Sequence, residues 1–180
     1  MSVFLVGMMG AGKTTVGQCL AHRLGYRFFD TDVLIERVAG KPITEIFATE
    51  GEAYFRELES QVLQQVSACT RSAIATGGGI VLKPINWGTL QQGLVIWLDV
   101  PVEVLVERLQ ADNTRPLLQN TDLTEKLSSL LEQRRPRYAQ ADLHITPTAE
   151  QTPEEITEII LQKIPTVLKE QQHLPSEESE

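Results

Sequence analysis

Residues 7–14 read Gly-Met-Met-Gly-Ala-Gly-Lys-Thr and fit the pattern Gly-x-x-x-x-Gly-Lys-(Ser/Thr) at every fixed position. A short apolar run, Val3 to Val6, precedes them and a helical pattern follows. That context turns a pattern match into a phosphate loop. Glycines let backbone N–H groups turn toward phosphate oxygens, and the following helix aims its positive end at the same anion. Gly10, Ala11 and Gly12 form the cradle. Lys13 is suited to the β and γ phosphates of a nucleoside triphosphate, and the Thr14 hydroxyl to a Mg²⁺ ion. Thr15 supplies one more hydroxyl beside the nucleotide, although it also suits a helix start.

Such a triphosphate needs a metal-binding acid and a phosphoryl acceptor. Asp30 and Asp32 stand two apart at the end of an apolar segment. In parallel sheets ligands bind at that strand end. Two carboxylates there suit a metal and a proton acceptor, while a cap on the next helix explains only one of them. Asp99 also ends an apolar strand. It fits either a metal site or the cap of the helix opened by Pro101. The chain holds no Asn-Lys-x-Asp and no Asp-x-x-Gly, the signatures expected of a GTPase. A single small domain with an arginine in a late loop favours a kinase that closes over its substrates. The rival classes are a kinase for another polyol acid or a nucleoside monophosphate, and a nucleotide-binding module without catalysis.

The elements that must hold these groups alternate between strand and helix. Strands are expected at 3–6, 27–29, 73–75, 94–98 and 143–145. Helices are expected at 14–24, 32–39, 101–109, 123–138 and 153–168, with one or two more across 43–68. In the last of these Phe55, Leu58, Val62 and Val66 form an apolar stripe. Residues 111–123 lack periodicity and read as a loop. The pattern specifies an α/β fold, a three-layer αβα sandwich on a five-stranded parallel sheet. One domain is expected over 1–168, with a frayed tail at 169–180.

The chain has 180 residues and a net charge of −8, which argues against a nucleic-acid partner. Residues 170–180 hold four glutamates and no lysine or arginine; without them 20 acidic residues face 16 basic ones. Cys19 and Cys69 lie far apart, so neither a disulfide framework nor a zinc site is expected, and Cys19 is read as core. No apolar run approaches the length of a membrane span, and no targeting segment is visible. A cytoplasmic monomer without membrane or nucleic-acid partners is the expectation.

Taken in order, GMMGAGKTT at 7–15, FFDTDVLIE at 28–36, IFATEGEAYFRELE at 46–59, TGGGIV at 76–81, NTRPLL at 113–118 and RRPRYAQADL at 134–143 resemble the shikimate kinases. These are P-loop kinases with a nucleoside monophosphate kinase-like fold. The resemblance implies transfer of the ATP γ-phosphoryl group to the 3-hydroxyl of shikimate, with Mg²⁺ as cofactor. It implies that Asp30 holds Mg²⁺ and that Asp32 binds the shikimate hydroxyls and acts as base. Arg56 and Arg134 would clamp the carboxylate, and Gly77, Gly78 and Gly79 would approach the substrate through backbone. Phe47 and Phe55 would wall the pocket, within substrate helices spanning about 31–62. Arg108 would lie beside adenine, and Arg115 would stabilise the moving phosphoryl group from a lid at about 111–123. Arg135, Arg137, His22, His144 and His173 would carry no role. A guanidinium matches a carboxylate in a bidentate manner, which agrees with the two arginine assignments.

Overall fold

The computed structural model describes residues 1–111 and 120–172. Five strands form one parallel sheet: β1 (Val3–Val6), β2 (Arg27–Asp30), β3 (Ser72–Ala75), β4 (Leu94–Leu98) and β5 (Leu143–Ile145), in the order β2-β3-β1-β4-β5. Every residue of β1, β3 and β4 is buried. That is the reason these strands read as unbroken apolar or small runs, since a parallel sheet has both faces covered. The edge strand β2 is only partly buried and β5 alternates.

Eight helices accompany the sheet among the described residues: α1 (Lys13–Leu24), α2 (Thr31–Ala39), α3 (Ile43–Thr49), α4 (Glu52–Ser67), α5 (Pro84–Leu90), α6 (Val102–Ala111), α7 (Asn120–Tyr138) and α8 (Pro153–Gln172). A single 3-10 turn covers Ile80–Leu82. The expected α/β architecture is therefore present. The segment 43–68 resolves into two helices, α3 and α4, and the stripe Phe55, Leu58, Val62 and Val66 is buried as its spacing requires.

Several expectations are corrected. The turn at Ile80–Leu82 and helix α5 stand where no element was expected. Asn120 to Leu123, expected as loop, already belong to α7, and α8 continues through Gln172. Residues 112–119 and 173–180 lie outside the described residues, and so do Arg115, most of the expected lid and His173. Cys19 is not core: it is half-buried, with its Sγ 3.8 Å from Glu154 on α8.

The main core gathers around β1 and β4 and includes Leu20, Leu63, Leu105 and Tyr138. A smaller separate cluster joins Ile35, Ile46, Phe55, Leu58 and Val62 and so ties α2, α3 and α4 together. Strand β1 lies between β3 and β4, where the sheet's crossovers change direction. Ligands bind at such a point, beyond the carboxyl ends of the strands. Among the described residues no helix is long and apolar enough to cross a membrane.

Candidate active site

The phosphate loop leaves β1 at Gly7. A Cβ there would stand 2.7 Å from the Leu98 carbonyl oxygen, so the loop can pass β4 only with glycine. Gly12, at φ 90°, precedes the first residue of α1. Its left-handed backbone turns the chain into the helix, a conformation that side chains disfavour. The Lys13 ammonium curls back over the loop and donates to the carbonyls of Gly7 (2.7 Å) and Met8 (2.8 Å). Arg108, from α6, donates to the Gly10 carbonyl at 3.0 Å. The Thr15 hydroxyl donates to the Gly12 carbonyl at 3.1 Å.

Both readings of the Asp30/Asp32 pair hold at once. Asp30 caps α2, with Oδ1 accepting from the backbone N–H groups of Asp32 (2.9 Å) and Val33. Its other oxygen accepts from the Thr14 hydroxyl at 2.7 Å. One carboxylate thereby links the start of α2 to the phosphate loop, and Asp32 is left as the second acid of the site. An open cleft of about 430 Å³ runs along this edge. Gly10 to Thr15, Asp30, Asp32, Gly77, Gly78 and Arg108 line it, together with Gln151, Pro153 and Ile156.

The glycines after β3 face a row of charged groups in turn. A Cβ on Gly77 would meet Glu59 Oε2 at 2.7 Å and Asp32 Oδ1 at 3.0 Å. One on Gly78 would lie 3.3 Å from an Arg134 nitrogen, and one on Gly79 would overlap the Arg56 guanidinium. Only backbone fits between these side chains. The Gly77 N–H is held by the buried Thr31 hydroxyl at 3.2 Å.

Arg56 donates to Glu59 at 2.9 Å, stands 3.6 Å from Glu52 and lies over the Phe55 ring. The Phe47 ring is 4.7 Å from that of Phe55 and remains partly exposed, while Phe55 is buried. Arg134 is 8% exposed. Of the expected site residues, the loop, Asp30, Asp32, Arg108, Gly77 and Gly78 share the cleft. Arg56, Arg134, Gly79, Phe47 and Phe55 are not among the residues lining it; the glycine run connects it to the two arginines.

Glu59 was not expected as a site residue. Its side chain is 1% exposed, and Oε2 is buried with no hydrogen-bond partner among the described residues. Burial pushes its carboxyl above the usual carboxylate range, against the pull of Arg56. A signal existed, because Glu59 falls four residues after Phe55 and three before Val62, an acid on the apolar stripe of α4.

This shift has a sign that can be measured. A raised carboxyl means that the folded protein holds the proton more tightly than the unfolded chain. The associated stability is present below the ordinary carboxylate range and lost as pH rises through the raised value. Glu59→Gln removes that titration. Its urea midpoint relative to wild type should therefore climb as pH rises above the ordinary carboxylate range. A difference that stays flat with pH would contradict the assignment.

Asp99 is not among the residues that line the cleft. It accepts from Arg135 (3.2 Å) and pairs with His144 (2.8 Å), whose ring stacks on Trp97 at 4.2 Å. Arg137 donates to the Leu82 carbonyl. Tyr138 was also unforeseen: its hydroxyl donates to the Gly78 carbonyl at 2.6 Å.

A family model described as shikimate kinase matches residues 9–165. The chain is 64% identical over 170 residues to the shikimate kinase of Microcystis aeruginosa, covering 94% of this chain and 90% of that protein. It is 58% identical to the shikimate kinase of Nostoc punctiforme, with 94% of each chain covered. Among solved structures, the shikimate kinase of Acinetobacter baumannii in complex with shikimate superposes with a TM-score of 0.84 at 40% identity, covering 97% of this chain and 95% of that one.

Proposed function

The chain belongs to the shikimate kinase family, and from that premise we propose which of its residues carry each part of the reaction. The activity is ATP-dependent phosphoryl transfer to an alcohol: the γ-phosphoryl group of ATP passes to the 3-hydroxyl of shikimate, giving shikimate 3-phosphate and ADP. The observation that carries the residue assignment is the glycine run. Residue by residue it meets Glu59 and Asp32 at Gly77, Arg134 at Gly78 and Arg56 at Gly79. An acid beside the triphosphate and two guanidiniums further out match a substrate with hydroxyls at one end and a carboxylate at the other.

Backbone N–H groups of Gly10 to Thr15 cradle the phosphates. Lys13 exchanges the carbonyls of Gly7 and Met8 for phosphate oxygens. Arg108 lies beside the adenine, in the cleft that Pro153 and Ile156 also line. Asp32 orients the acceptor hydroxyl and takes its proton as the oxygen attacks phosphorus in line. Arg56 and Arg134 hold the carboxylate, and Phe47 and Phe55 flank it. Arg115 spreads charge on the phosphoryl group in transit.

Thr14 Oγ1 and Asp30 Oδ2, 2.7 Å apart, suit Mg²⁺, which prefers few protein oxygens together with phosphates and water. Bound there, Mg²⁺ neutralises charge on the β and γ phosphates.

The test is ADP release with shikimate, quinate, gluconate, AMP and CMP offered separately. Turnover that depends on shikimate is expected. Equal rates with gluconate or AMP would reassign the acceptor.

A further inference from the structure

Tyr138, the last residue of α7, is fully buried beneath the glycine run. Its hydroxyl donates to the Gly78 carbonyl at 2.6 Å and lies 3.8 Å from the Met8 sulfur in the phosphate loop. The ring stacks on Trp97 of β4 with centroids 5.6 Å apart, so the phenol is held from behind. Gly78 itself is wedged. A Cβ on it would meet Arg134 on one side, and Gly7 O and Met9 N of the phosphate loop, both at 3.5 Å, on the other. Arg134 precedes Tyr138 by one turn of the same helix. Burial raises the Tyr138 phenol above its ordinary range despite Arg134 beside it, so the hydroxyl keeps its proton and remains a donor.

We propose that Tyr138 is a positioning residue. Its hydroxyl pins the Gly78 carbonyl against the phosphate loop and so sets the distance between the bound γ-phosphate and the acceptor hydroxyl. A glycine run has no side chains with which to anchor itself, and a shift of about 1 Å in reacting groups can cost orders of magnitude in rate. With the acceptor displaced, water attacks the γ-phosphorus instead. Its bond to the bridging oxygen breaks, and ADP and inorganic phosphate leave without shikimate 3-phosphate. This role rests on the acceptor-side reading above.

The experiment compares wild type, Tyr138→Phe and Asn86→Ala. Asn86 donates to the Ile80 carbonyl at 2.8 Å, a buried bond to the same segment but outside the cleft. Tyr138→Phe keeps the stacked ring. It should raise KM for shikimate about tenfold, the worth of one buried hydrogen bond. The ratio of ADP to shikimate 3-phosphate should rise above one, with nucleotide affinity unchanged. Asn86→Ala should lower Tm and leave KM and the ratio alone. Replacing Tyr138 with 4-aminophenylalanine, which keeps a donor on the ring, should restore both.

Wild-type KM and ratio in Tyr138→Phe, or an equal shift in Asn86→Ala, would overturn the role. If Tyr138→Phe does not fold, a folded 4-aminophenylalanine protein with a raised ratio overturns it and one with the wild-type ratio supports it. Wild type failing to phosphorylate shikimate would instead defeat the reading on which the role rests.

Discussion

Asp32→Asn is expected to lower kcat by about 10²- to 10⁴-fold, the usual worth of a positioned general base. Nucleotide affinity should stay within about twofold, because the contacts that would hold ATP belong to the phosphate loop and Arg108 rather than to Asp32. The fold should not suffer either. The start of α2 is secured by the side chain of Asp30, which accepts from the backbone N–H of residue 32 whatever its side chain. Asparagine keeps the volume and can still hydrogen-bond a hydroxyl, but it cannot take the proton. Single-turnover transfer and titration with a fluorescent ADP analogue separate the two effects. Loss of nucleotide binding with the loss of transfer would mean that Asp32 serves the metal and not the acceptor.

Gly79→Ala should produce the second large effect, by a different route. Gly79 has φ −90°, so alanine carries no backbone strain there. The new Cβ would overlap the Arg56 guanidinium, the free end of a long side chain that can swing aside. The fold survives while the carboxylate clamp is displaced. A charged hydrogen bond is worth about 1.5–3 kcal/mol, or roughly 10- to 150-fold in kcat/KM for shikimate. Thermal denaturation should show a lowered Tm with folding still cooperative, because the displaced guanidinium leaves the buried Glu59 carboxyl without its partner, and nucleotide affinity should be unchanged. An unaltered KM would remove Arg56 from the carboxylate site.

How much of this was legible beforehand depends on the kind of signal. The phosphate loop is sequence-local, because its chemistry needs adjacent backbone N–H groups, and it stands where its pattern put it. The same holds for β4, whose five buried residues read directly as a run. Helix α5 was missed for a physical reason. Its seven residues, PINWGTL, carry no charge and no amphipathic period, and Pro84 was its only start signal. Glu59 and Tyr138 were missed because their roles arise from packing across the chain. Glu59 reaches Gly77, and Tyr138 reaches Gly78 and Met8. Spacing along the sequence marked Glu59 as an acid on a buried stripe, but it cannot display which groups either residue meets. Asp99 shows a further set of partners that spacing did not display. A strand-end aspartate suggested a metal or a cap, and its actual partners, Arg135 and His144, come from two later elements.

The sheet order has a consequence for how this chain is made. Strand β1 carries the phosphate loop and lies between β3 and β4, with Val3 paired to Ala73 and to Leu94. A ribosome therefore delivers the middle of the sheet well before either flank. At a synthesis rate of roughly 5–20 residues per second, β1 waits on the order of ten seconds for β4. Until β4 is made, one edge of the four apolar residues Val3 to Val6 stays unpaired even after β3 has been synthesised, which is the form in which strands associate wrongly. Slow, non-local pairing of this kind is also where aggregation competes with folding. The strand that carries the nucleotide-gripping loop is thus open to capture by a chaperone, or by a neighbouring nascent chain, during synthesis.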